Sequence, residues 1–253
     1  MSDVRAELTR NDMEALFEGV KNWGRWGPDD ERGALNFITD TIRRDAVALV
    51  TEGVSVSCAL DFPTQPAPDN PRPAQHMMVV AGDACTTTGK PGMQSAMDFI
   101  GVAFHGMAVS HIDALCHVFV DEKMYNGFDA SDVKSTGAMR NSIMAGEDGI
   151  SGRGVLLDAP RHRGVPYLGI DEQIGPDELD AMVAAQGVEI REGDILLAST
   201  ARDARRAEKG SWAPMEGLAG LDGHCVQWLY DKKVAVLGSD GVSDSIPNGT
   251  ADQ

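Results

Sequence analysis

His111-Ile112-Asp113-Ala114-Leu115-Cys116-His117 is the stretch from which both the chemistry and the architecture of this 253-residue chain are read. Three of the chain's six histidines, His105, His111 and His117, fall within thirteen residues, and Asp113 sits among them. Imidazole nitrogen and carboxylate oxygen are the usual ligands of Zn²⁺ and Mn²⁺. In an extended chain His111 and Asp113 project from the same face, two residues apart, so they can hold one cation together. His117 returns over the same place if the chain turns helical after Asp113. The spacing alone leaves a second reading open, because buried histidines are commonly hydrogen-bonded packing residues. Cys116 beside His117 invites a thiol–imidazole nucleophile, but adjacent residues on a chain point apart and the pair is set aside.

Outward from this stretch the pattern alternates between short strands and a few helices. Met13, Leu16, Phe17 and Val20 recur at helical spacing and predict a helix over residues 10–20. A turn-rich aromatic stretch follows, with Trp23, Trp26, Gly27 and Pro28, and then a second helix over about residues 39–52, capped by Thr39 or Asp40 and ended by Gly53. Residues 54–60 alternate as a half-buried strand does. Residues 63–75 contain five prolines, too many for regular structure, and loops of that length often serve as lids or binding loops.

Strands are expected at 77–80, 98–104, 155–157, 195–199 and 234–237, and helices at 176–186 and 221–230. Gly152-Arg153-Gly154 lacks the full dinucleotide fingerprint and reads as a turn. Ser243, Asp240 and Asp244 form a polar cluster after a strand, read as caps and turns. No repeat, low-complexity run or linker interrupts the chain. Many short strands with few helices indicate one α+β or layered β/β/α domain over residues 1–253.

Composition narrows the partners. With 39 acidic against 22 basic residues the formal net charge is −17. That argues against nucleic acid and anionic membranes as partners, because both require basic patches. No apolar run approaches the ~18 residues of a membrane span. The N-terminus is polar, and Cys58, Cys85, Cys116 and Cys225 show no paired spacing, so they read as reduced thiols of a cytoplasmic protein.

The quoted stretch, continued through Val118-Phe119 and Lys123-Met124-Tyr125-Asn126-Gly127, resembles the signature of the cyclase family of metal-dependent hydrolases, which includes bacterial kynurenine formamidases and isatin hydrolases. Asn22-Trp23-Gly24-Arg25-Trp26-Gly27-Pro28-Asp29-Asp30 through Leu35-Asn36 is similar to the family's N-terminal segment. Gly152-Arg153-Gly154-Val155-Leu156-Leu157-Asp158, Gly193-Asp194-Ile195-Leu196-Leu197 and Ala235-Val236-Leu237-Gly238-Ser239-Asp240 resemble its later strands, in the same order. The resemblance spans nearly the whole chain. It implies a swivelling kynurenine formamidase-like fold of mixed sheets and flanking helices. It also implies a divalent metal, zinc or manganese, and hydrolysis of an amide or cyclic amide C–N bond, as in tryptophan catabolism.

In the family motif H-x-G-T-H-x-D-x-x-x-H the first two histidines and the aspartate bind metal, and the last histidine is the acid/base residue. Carried over, His111 and Asp113 are ligands and His117 moves protons. Met107 stands where the family has its first histidine, and a thioether is a poor ligand for such a cation. His105 is its substitute. Family members also continue past the strand ending at Asp240 and supply a further histidine and glutamate, whereas no histidine here follows His224. The expectation is therefore a family domain lacking its C-terminal part. Trp23 and Trp26 are candidates for the wall of an aromatic substrate pocket, or for core packing. The readings carried forward are a metal-dependent amidohydrolase of arylformamidase or isatin hydrolase type, or one acting on a lactone or polyketide-like substrate. A catalytically impaired or binding-only relative is a further reading. A homo-oligomer is expected because an incomplete domain exposes apolar surface or a sheet edge.

Overall fold

The computed structural model describes residues 6–83, 89 and 91–250, and Cys85 lies outside them. The chain falls into two compact units, one comprising residues 1–55, 112–210 and 215–253 and the other residues 56–111 and 211–214.

The first unit is built on three parallel strands, β5 (Gly154–Asp158), β7 (Ile195–Ser199) and β9 (Val236–Ser239), in the order β5-β7-β9. Register runs Gly154↔Ile195↔Val236. Parallel neighbours need crossovers. Between β5 and β7 lie α3 (Ala159–Arg163) and α4 (Pro176–Gln186), and between β7 and β9 lie α5 (Arg202–Lys209) and α6 (Cys225–Asp231). Side chains alternate across a strand. Val155, Leu157, Leu196 and Ala198 therefore turn to one face, where they pack with Leu179 and Met182 of α4 and Cys225 and Trp228 of α6. Leu157 and Leu196 are 0% exposed, whereas Leu156 is 51% exposed on the opposite face.

Two helices precede this sheet, α1 (Arg10–Val20) and α2 (Asp40–Val47). Thr9 and Asp12 form a capping box on α1, and the Thr39 hydroxyl accepts from Ile42 N at 3.3 Å to start α2. Gly193 allows the turn before β7 to approach this region. A Cβ there would lie 2.8 Å from the carbonyl oxygen of Phe37, and its φ of +84° is one that L side chains rarely adopt.

Shorter pieces complete the unit. β3 (Val133–Lys134) pairs antiparallel with β4 (Gly137–Ala138), and β6 (Gln173–Ile174) pairs parallel with β8 (Gly220–Leu221). In the second unit β1 (Gln75–Val80) and β2 (Met97–Gly101) form an antiparallel pair with an irregularity between Met78 and Val80. The proline-rich stretch before β1 is tied to itself. The buried Asn70 donates through Nδ2 to the carbonyls of Pro63 and Gln65, and Ala74 N donates to Pro63 O.

The mixed α/β class, α1, α4 and β7 agree with the reading of the sequence, residue for residue in those three elements. Other boundaries moved for identifiable reasons. α2 stops at Val47 because Val47, Leu49 and Val50 are exposed, so further turns would bury nothing. Residues 54–60 form no ladder, and Val54, Val56 and Leu60 are exposed. Alternation signals a strand only where a partner and a covered face exist. Leu221 pairs in β8, so α6 begins at Cys225. β9 begins two residues late because Val234 and Ala235 donate to Leu229 and Asp194 before the ladder with β7 starts. α5 was missed because Arg-Asp-Ala-Arg-Arg-Ala-Glu-Lys carries no apolar stripe. Cys58, Cys116 and Cys225 form no disulfide among the described residues. Among the described residues no helix is long and apolar enough to cross a membrane.

The alternation across β5 makes a stability prediction. Leu157→Ala should cost about 2–5 kcal/mol, the range for a buried leucine truncated to alanine. Leu156→Ala on the exposed face should cost under about 1 kcal/mol. Urea denaturation of the two variants measures both.

Candidate metal centre

Residues 105–117 carry no regular strand or helix until a turn at Leu115–Cys116. That turn is closed by His117 N donating to Ala114 O at 2.9 Å. In the second unit, the rings of His105 and His111 lie 5.2 Å apart, and Phe104 packs against both at 4.9 and 6.0 Å. His111 Nδ1 lies 2.8 Å from the carbonyl oxygen of Val109. A neutral imidazole donating there carries its lone pair on Nε2, the arrangement that orients a metal-ligating histidine. Asp113 follows two residues later on the same continuous chain. The ligand atoms of His105, His111 and Asp113 all lie within 4.8 Å of one another. In the first unit His117 Nε2 lies 3.9 Å from Asp113 Oδ2.

The donor set fits the group it would hold. Two imidazole nitrogens and one carboxylate oxygen suit zinc or manganese. Two donors on one ion at about 2.1 Å each lie up to about 4.2 Å apart, close to the 4.8 Å within which these atoms fall. All three residues are exposed. His105, six residues before His111, is thus the neighbour that the chain brings to His111.

The turn bearing His117 rests on a hydrogen-bonded frame from residues 24–36 and 124–141 of the first unit. Asn126, at φ +63°, accepts from Gly24 N through Oδ1 at 2.7 Å. Its Nδ2 reaches the carbonyls of Gly27, Pro28 and Asp30 at 3.0, 3.1 and 3.0 Å. Asp30 accepts from Asn36 Nδ2 at 2.7 Å, Gly33 N at 2.9 Å and Tyr125 OH at 2.8 Å. Burial alone would raise the Asp30 carboxyl, but these donors outweigh it and hold it below its ordinary range. Burial, reinforced by the bond to Asp30, raises the Tyr125 phenol well above its ordinary value. Glycine suits position 33 because its φ of +54° is one that L side chains rarely adopt, and a Cβ there would also press on Leu115 Cδ1 at 2.9 Å.

Trp23 meets Phe17 edge-to-face at 6.2 Å, under the Lys21 ammonium at 4.3 Å. Trp26 meets Phe37 edge-to-face at 5.1 Å in the small core of Phe37, Ile38 and Ala235. Both tryptophans thus take part in local packing. Asp240 accepts from Ser199 Oγ, Thr200 N, Thr200 Oγ1 and Arg202 N, which makes it a cap for the β7–α5 turn. The frame residues Asp30, Glu31, Tyr125, Asn126 and Asn141 were not singled out from sequence. The Asn126-Gly127 dipeptide does signal a left-handed turn, but its partners stand about a hundred residues away.

A family profile described as putative cyclase matches residues 41–244. A solved structure described as a novel cyclase superposes with a TM-score of 0.75 at 27% identity, covering 88% of this chain and 76% of that one. This chain shares its fold. Isatin hydrolase A from Labrenzia aggregata, solved bound to benzyl benzoate, aligns with a TM-score of 0.48 at 17% identity, over 82% of this chain and 79% of that one. Among curated proteins no match was found.

The Asp30 frame yields a pH-dependent prediction. Tyr125→Phe removes a bond to a charged acceptor and should cost about 1.5–3 kcal/mol at neutral pH. The Asp30 pKa is depressed in the fold, so this contribution is present above the unfolded carboxylate pKa and fades as pH falls through the folded one. Denaturant midpoints of wild type and Tyr125→Phe should therefore converge only below the ordinary carboxylate range.

Proposed function

The chain belongs to the putative cyclase family, and from that premise we propose that it is a metal-dependent hydrolase acting on the C–N bond of an amide or cyclic amide. The observation that carries this reading is the gathering of His105, His111 and Asp113 donor atoms within 4.8 Å, with His117 Nε2 at 3.9 Å from Asp113. His105, His111 and Asp113 hold a divalent ion, zinc or manganese. Such an ion supplies Lewis acidity, raising the acidity of water and polarising a carbonyl.

The chain's own residues do the rest. His117 takes a proton from attacking water at Nε2 and returns it to the departing nitrogen, a role suited to imidazole because its ordinary pKa lies near neutrality. Asp113 lies beside that imidazole, its Oδ2 3.9 Å from His117 Nε2. An aromatic small molecule is the proposed substrate, with Trp23 and Trp26 as candidate wall residues. Self-association belongs to the same proposal, and the exposed Met77, Val79 and Phe99 of the β1–β2 pair support it. Met107 in place of the motif's first histidine favours one second reading, a binding-only relative.

Metal analysis with turnover assays on aryl formamides, cyclic imides and lactones separates the readings. The expected result is about one zinc or manganese ion per chain, lost in His111→Ala. His117→Ala should keep the metal and lose about 10²–10⁴-fold in kcat. Turnover that survives both chelation and His111→Ala sinks the hydrolase reading. A chain with no metal and no turnover on any of these substrates supports the binding-only one.

A further inference from the structure

We infer that Asn141, oriented by Glu31, is a positioning residue that sets the turn carrying His117. The inference rests on the proposed role of His117, but its geometry stands by itself. Asn141 is 0% exposed and has a left-handed φ of +54°. Three contacts pin it. Glu31 Oε2 accepts its backbone N–H at 2.6 Å, its Nδ2 donates to the carbonyl of Tyr125 at 2.9 Å, and its own carbonyl accepts from Cys116 N at 3.1 Å. Cys116 is the residue before His117, inside the turn closed by Ala114 O and His117 N.

Two features of Asn141 run against simple stability. A non-glycine residue at positive φ carries strain, though asparagine bears it better than most. Its Oδ1 is buried with no hydrogen-bond partner among the described residues, and such a group in a native fold calls for an explanation. The left-handed backbone aims its carbonyl at Cys116, and the side chain that leaves Oδ1 unmatched is the one whose Nδ2 holds the Tyr125 carbonyl. Glu31 holds the other side of the same residue, and its Oε1 is anchored by Arg140 Nη1 at 3.0 Å. The same segment touches the turn a second time, where Gly33 lies under Leu115. Glu31 and Gly33 thus both reach the Ala114–His117 turn, one through Asn141 and one beside the Leu115 side chain. The imidazole of His117 projects from that turn toward Asp113.

Because Glu31 acts through Asn141, the two are coupled in series, and a double-mutant cycle reads that directly. Glu31→Ala, Asn141→Ala and the double variant are prepared in the full chain, with melting temperature and metal content measured on each. Each single variant should speed hydrogen exchange at the Cys116 amide and lower kcat about 10- to 100-fold, as displaced catalytic groups do. KM should stay within about twofold, since binding is not removed. The double variant should be no worse than the poorer single. Asn141→Gly, which restores the left-handed backbone and its carbonyl, should recover most of kcat. Where Glu31→Ala lowers the yield of folded protein, Cys116 exchange in Asn141→Ala and its recovery in Asn141→Gly decide the inference. Unchanged exchange at Cys116 in the Glu31 variant, multiplicative losses in the double, or no rescue by glycine would each overturn the inference. Faster Cys116 exchange in a protein whose wild type turns over no substrate supports the positioning role and sinks the hydrolase reading instead.

Discussion

The carboxamide of Asn126 is the interaction on which the turn carrying His117 rests. One side chain accepts from Gly24 N and donates toward the carbonyls of Gly27, Pro28 and Asp30. That stretch is an irregular loop whose backbone groups have no ladder to join, and polar groups left unpaired away from water are costly. With the loop held, Asp30 gathers Tyr125, Gly33 and Asn36, and Glu31 reaches Asn141. The frame that supports the His117 turn is therefore made mostly of polar bonds, in contrast to the sheet beside it.

That sheet follows a different logic. β5, β7 and β9 are held by parallel pairing and by one apolar face packed on α4 and α6. Rigid elements of this kind place loops accurately. Polar bonds also fix a loop at the end of this sheet, where Asp240, just after β9, caps the turn after β7.

Much of this was legible in the sequence, and the legible parts share a property. α1, α4 and β7 carry strong local signals: a Thr9 cap and a helical apolar spacing, Pro176 at a helix start before Asp177 and Glu178, and a compact run of apolar residues. Residues 54–60 misled because alternation describes a strand that has a partner, and here Val54, Val56 and Leu60 face solvent. β9 was displaced by two residues because its start is set by register with β7, which lies some forty residues away in sequence.

The site divides along the same line. By itself the sequence determined which residue types gather at 105–117, and it left the return of His117 toward Asp113 conditional on a turn that the structure supplies at Leu115–Cys116. Only the tertiary structure decided that His105 lies near His111 despite six residues between them, that Trp26 packs on Phe37, and that Glu31 meets Asn141. Those meetings depend on where the whole chain can bury apolar surface and pair its polar groups at once, and no local pattern encodes that balance.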